Sequence, residues 1–247
     1  MCQAMLGVVF EKEGNEADKK KWTGRLIAAD PENPLGFYYQ ARLAQEADDG
    51  AGVIAALETA LGKKDRTDFY LRERMVGAKE GLLASGVRLK DTYYLTLAGP
   101  MGKVSAGLHI TGKLMRFFKI ELAVMKDEGR ETEFQQLGAL GLRLAEQQQL
   151  TESLSLITQL TAHNWIIKFL KVLDPEIEIS NSDRSVAEEL ATEKENLSKL
   201  LKEAGSAHQY LQNAPVEVQG QYADRMMMDG EMAALKYLRG EMEKAKP

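Results

Sequence analysis

Apolar residues recur at three- and four-residue spacings along most of the chain, and period-two alternation is rare, so the hydrophobic pattern predicts helices throughout. Asn33 followed by Pro34 supplies an N-cap and a first helical residue, and Leu35 to Glu46 then keeps a helical pattern up to the turn Asp48-Asp49-Gly50. A second helix is expected from about Ala51 to Leu61, stopped near Gly62. Two short helices joined by a tight turn cannot bury their apolar face alone, so this hairpin needs neighbours.

Further along, Asp68 to Leu83 reads as a helix ending at Ser85-Gly86, with Leu89 to Leu97 as its partner. Leu114 to Lys126, the turn Asp127-Glu128-Gly129-Arg130, and Glu131 to Gln148 form a further hairpin, in which Gly138 and Gly141 suit close helix packing. Thr151 is the expected N-cap of an apolar helix running through Trp165 to Leu173 and closed by Asp174-Pro175. From Ser185 a charged, amphipathic helix places Val186, Leu190, Leu197, Leu200, Ala204 and Leu211 on one side. After Pro215 two shorter segments, split near Asp229-Gly230, are expected to fold back as a cap over the last apolar face.

A period connects the first of these elements. Gln3-x2-Leu6-Gly7-x2-Phe10, with Gly14 at a turn and Asp30-Pro31 at the exit, resembles the tetratricopeptide repeat. At a shift of 34 residues, Phe37 falls at an aromatic position, Ala41 lies opposite Gly7, Asp48 opposite Gly14, and Val53, Leu57 and Ala60 fill the second helix. The chain departs from the pattern at Gln3, Gln40, Ala44 and Lys19. The resemblance covers residues 1–62 and loosens beyond them. It implies an all-α fold, a tetratricopeptide-like array of αα-hairpins (an α-solenoid) over residues 1–100, continuing into a helical bundle or capping domain over 101–247. It also implies an inner face lined by the first helix of each pair: Val8, Glu11 and Lys12 in the first unit; Leu35, Tyr38, Arg42 and Gln45 in the second. Glu11, Tyr38, Arg42 and Gln45 are the expected partner-binding residues on that face. Met1 falls inside the first helix with no capping residue before it, from which a longer protein with preceding repeats or an anchor is expected.

Composition narrows the chemistry. Against 37 acidic residues stand 32 Lys+Arg, a net charge of -5, which disfavours binding that rests on release of counterions from nucleic acid. Lys113, Arg116, Lys119 and Glu121 interrupt the most apolar stretch, Leu108 to Met125, so no membrane span is expected. The N-terminus shows no signal-peptide pattern, and the chain reads as soluble, cytoplasmic or periplasmic. With one cysteine, Cys2, and three histidines, neither a disulfide framework nor a multi-histidine metal centre is expected, and no cofactor is implied.

Enzyme signatures are incomplete. Leu97, five residues before Gly102, and Val104, just after Lys103, occupy the places where a phosphate-binding loop requires glycine and Ser/Thr. Ser105 lacks the leading glycine of a nucleophile elbow, and Cys2 has no evident partner histidine. His163, in an apolar helix, is expected to be a core or boundary histidine satisfied by a backbone carbonyl rather than a base. Met226-Met227-Met228 reads as one core methionine flanked by two partly exposed ones.

His109, Lys113, Arg116 and Lys119 recur at helical spacing and form a candidate anion-binding stripe, the alternative being pairing with Glu131 and Glu133 across the turn. The expected function is a non-enzymatic interaction or scaffold protein that takes a peptide or protein partner on a helical surface. A small-molecule or anion binder, or an enzyme, with a pocket around His109, Lys113, Arg116 and His163 is the alternative.

Overall fold

The computed structural model describes residue 10 and residues 15–63, 71–87, 105–149, 156–176 and 184–244. Every regular element among them is an α-helix: α1 (Glu16–Ala29), α2 (Pro34–Glu46), α3 (Gly50–Leu61), α4 (Leu71–Ala84), α5 (Ser105–Asp127), α6 (Glu131–Gln149), α7 (Leu156–Leu170), α8 (Val186–Asn213), α9 (Val216–Asp229) and α10 (Glu231–Lys244). No strand occurs among the described residues. The Gln3 to Val9 part of the repeat pattern, Glu11, Leu89 to Leu97, the Gly102-Lys103 loop and Thr151 lie outside the described residues, as does the expected boundary near residue 100.

The helix boundaries follow local chemistry. Asn33 is extended and its side chain accepts from the Leu35 amide, while Pro34, which has no amide hydrogen to lose, begins α2. Asp49 caps α3 by accepting from Gly52 N at 2.8 Å. The left-handed residue of that turn is Asp48, at φ 59, while Gly50 is already helical. Ser185 and Glu188 form a reciprocal capping box ahead of α8: the Ser185 amide donates to the Glu188 carboxylate at 2.9 Å, and the Glu188 amide donates to Ser185 Oγ at 3.4 Å. Gly86, Gly129 and Gly230 take positive φ after α4, α5 and α9, where a side chain would be strained.

Contacts group the chain into two compact units, one of Met1–Phe69, Ala106–Thr151 and Ala162–Lys194, the other of Tyr70–Ser105, Glu152–Thr161 and Glu195–Pro247. In the first, α2 packs between α1 and α3. A Cβ on Gly36 would lie 2.6 Å from Ile27 Cγ1, so glycine is what lets α1 and α2 approach there. Leu35, Tyr38 and Ala41 of α2 are fully buried with Val53, Leu57 and Ala60 of α3. Glycines set a second close approach: a Cβ on Gly138 would meet Leu173 at 3.0 Å, and one on Gly141 would collide with the Phe169 ring. Phe169 in turn meets Phe118 of α5 edge-on, centroids 5.5 Å apart.

The second unit has its own core, Ala207 of α8, Tyr222 and Met226 of α9, and Ala234 and Leu238 of α10. Lys79 of α4 reaches Asp224 of α9 at 2.5 Å. Met226 is buried and Met228 is 59% exposed, as the methionine run suggests for those two.

Candidate functional site

The face of α2 expected to make contacts is open only in part, at Arg42 and Gln45. Tyr38 is fully buried, and its hydroxyl donates to Gln147 Oε1 of α6 at 2.6 Å. Arg42 is half-buried, donates to Gln45 Oε1 at 2.7 Å and pairs with Glu46 at 3.0 Å. The physical reason is that the C-terminal part of α6 packs on the α2–α3 hairpin, and Gln147 Nε2 also donates to the Ala60 carbonyl at the end of α3. The phenol that the repeat pattern would expose is therefore the centre of an interhelical hydrogen bond. Glu11 lies outside the described residues.

Polar groups continue along the end of α6. Gln148 is fully buried, with neither amide atom hydrogen-bonded to a described residue. His163 of α7 is buried, as expected, but its partner is a carboxylate in place of the expected backbone carbonyl. Nδ1 lies 2.6 Å from Glu193 Oε2 of α8. Gln149 Nε2 stands 3.0 Å from Nδ1 and 3.4 Å from Nε2 of the same ring, so the tautomer decides which ring nitrogen accepts from it. Beside them Glu146 is pushed up to about 7, by burial first and then by the Glu189 carboxylate, with Glu193 adding to the rise and Arg143 opposing it. Tyr38, Gln147, Gln149, His163 and Glu193 thus tie α2, α6, α7 and α8 together in pairs. This is the chemistry of register and orientation.

The basic stripe of α5 is divided. His109 lies on α5 with its side chain outside the described set, Lys113 is half-buried, and Arg116 and Lys119 are exposed. The acidic residues after the turn are occupied locally: Glu133 pairs with Arg130 at 3.4 Å, and Glu131 accepts from Gln135 at 2.8 Å. Neither neutralises the stripe among the described residues.

Lys119 instead borders a groove of about 940 Å3 within the first unit, formed by α5, the start of α6, and the end of α7 with residues 171–175. Its floor is apolar, with Leu122, Phe134, Trp165, Phe169 and Leu173 presenting buried or nearly buried side chains. Lys119 and Lys126 stand on the α5 wall, and Lys168 and Lys171 on the other. None of the four makes an ion pair with a described residue, although Glu131 and Asp174 also line the groove. Asp174 is held at the mouth through its amide, which donates to Gln135 Oε1 at 3.2 Å. Sequence reasoning found Lys119 through its spacing on one helix. Lys126, Lys168 and Lys171 carry no joint signal, because they lie on segments that only tertiary packing brings together.

Among the described residues no cluster of three or more His, Cys, Asp or Glu side chains could hold a metal ion, and no helix is long and apolar enough to cross a membrane. Comparison with protein-family models, with curated proteins and with solved structures returns no match.

Proposed function

We propose that the chain is a non-enzymatic interaction protein that takes a polypeptide partner in the groove between α5, α6 and α7, on a tetratricopeptide-like helical scaffold. The scaffold reading draws support from the α1–α2–α3 succession, in which Ala41, 34 residues after Gly7, and Val53, Leu57 and Ala60 of the second helix are all fully buried. The observation that carries the binding reading is the groove itself, where an apolar floor containing Trp165 lies between two walls whose four lysines make no ion pair with a described residue. Apolar floors with charged rims are the arrangement of protein-recognition surfaces, where a buried aromatic anchors the partner and rim charges set specificity. The α2 face is not part of this surface, since Tyr38 is consumed by the core.

The test is selection of peptides from a random display library on the full chain, followed by binding to the Ala123→Trp variant. Ala123 lines the groove and is exposed, so tryptophan fills it without disturbing the core. Selected peptides should lose binding to that variant, and peptides that bind it as well as the parent chain would refute the groove.

A further inference from the structure

We infer that the partner segment is an acidic, amphipathic α-helix of about three turns, laid along α5. The inference rests on the reading that the groove receives a polypeptide, and adds which kind. Three features define it.

The first is length. On α5 the groove is lined at positions 115, 119, 122 and 126, residues that share one face because three- and four-residue steps return to the same side of a helix. From Met115 to Lys126 that face runs about 16 Å at the helical rise, which a partner helix of similar length would cover.

The second is shape. The floor is made of side chains from packed helices, with Leu122 from α5, Phe134 from α6, and Trp165 and Phe169 from α7. A long apolar trough between helices suits side chains projecting from one face at i, i+3, i+4 and i+7, the way an amphipathic helix lies in a groove. An extended strand would instead need an exposed sheet edge, and no strand occurs among the described residues.

The third is charge. Lys119 and Lys126 are two turns apart on one wall, and Lys168 and Lys171 are one turn apart near the other. Four lysines against Glu131 and Asp174 leave a net charge of +2 on the lining (4 − 2), within a chain whose overall net charge is -5. The positive rim is therefore local and opposed to the average charge of the protein, and it selects a segment with Glu or Asp on both edges of its apolar stripe. The exposed arc of α5 beyond the groove extends the same preference, with Arg116 and the half-buried Lys113 beside exposed Ile120 and Val124.

Two display libraries test this on the full chain. Both encode helices of about 14 residues, a length near four turns, with apolar positions at i, i+3, i+4 and i+7, and they differ only in carrying Glu or Lys at the flanks. The Glu library should yield binders and the Lys library none. Binding of selected peptides should weaken about tenfold in the Lys119→Glu/Lys126→Glu chain and again in Lys168→Glu/Lys171→Glu, and should weaken with added salt. Circular dichroism and urea midpoints of both variants separate lost binding from lost folding. Equal recovery from both libraries, or binders indifferent to charge reversal, overturns the inference. So does lysine-dependent binding to phosphatidylserine vesicles without binding to any acidic helix, which would make the site one for an anionic lipid surface. Random peptides that bind in an Ala123-dependent way while acidic helices fail would leave the polypeptide groove standing and remove only the acidic helix.

Discussion

The α2–α3 hairpin and the α5–α7 groove are built alike, from packed helices with small residues where backbones approach, yet they dispose of their polar groups in opposite ways. In the hairpin polar side chains are engaged with one another and with the backbone: the Tyr38 hydroxyl with Gln147, Arg42 with Gln45 and Glu46, Asn33 and Asp49 as helix caps. In the groove four lysines surround an apolar floor and pair with no described residue. An interior that has satisfied its hydrogen bonds gains register and stability. A rim whose like charges pair with no described residue gains neither, and what it offers is a field for a partner of opposite sign.

Breaking the packing should have the largest consequence. Gly141→Leu drives a side chain into the Phe169 ring, and the overpacking should lower stability by about 3 kcal/mol, offset by up to about 1 kcal/mol of helix propensity. A fall in the urea midpoint is the readout. An unchanged midpoint would show that α6 and α7 are not in contact as described.

Tyr38→Phe should cost about 1 to 2 kcal/mol, because it removes a buried hydrogen bond between α2 and α6 without changing the volume of the ring. A neutral result would place Tyr38 back on an open face and reverse its assignment to the core.

Glu146 makes the comparison pH-dependent. Its folded-state pKa of about 7 lies above its ordinary value of 4.5, because burial and the Glu189 carboxylate disfavour the anion. The folded chain therefore holds this proton where the unfolded chain has released it. The stabilisation from Glu146 is fully present below about pH 4.5 and is lost as the pH rises through about 7. Melting temperatures of Glu146→Gln, compared with the parent between pH 5 and pH 8, should fall less as the pH rises. Parallel profiles would mean that Glu146 is ionised throughout.

The smallest effect on stability belongs to the groove. Lys168→Glu/Lys171→Glu should shift stability by no more than about 0.5 kcal/mol, since exposed charges contribute little to folding. A large loss in this variant would show that these lysines belong to the fold and would erase the contrast with the hairpin.

Much of the helical layout was legible along the chain. Asn33-Pro34, Gly62, Gly129, Ser185 and Gly230 mark helix ends by rules that act within a few residues, and the structure places ends at each. Gly138 and Gly141 were legible as close-packing sites because a glycine inside a helix forgoes propensity and calls for a steric reason. The candidate site was legible only at Lys119. His163 could be assigned to the interior, but not to Glu193, thirty positions away on another helix. Tyr38 was misplaced because helical periodicity names which residues share a face and does not say whether a later helix will cover that face.

What the sequence determined, then, is what depends on neighbours along the chain: helix content, caps and turns, and the positions where backbones can approach. Which faces stay open was decided only by tertiary packing. The arrival of α6 on the first hairpin turned a tyrosine into core, and the meeting of α5 with α7 gathered lysines into one rim. Covalent proximity governs backbone preference, whereas burial and pairing are properties of the assembled surface, and for that surface the helix pattern leaves several arrangements open.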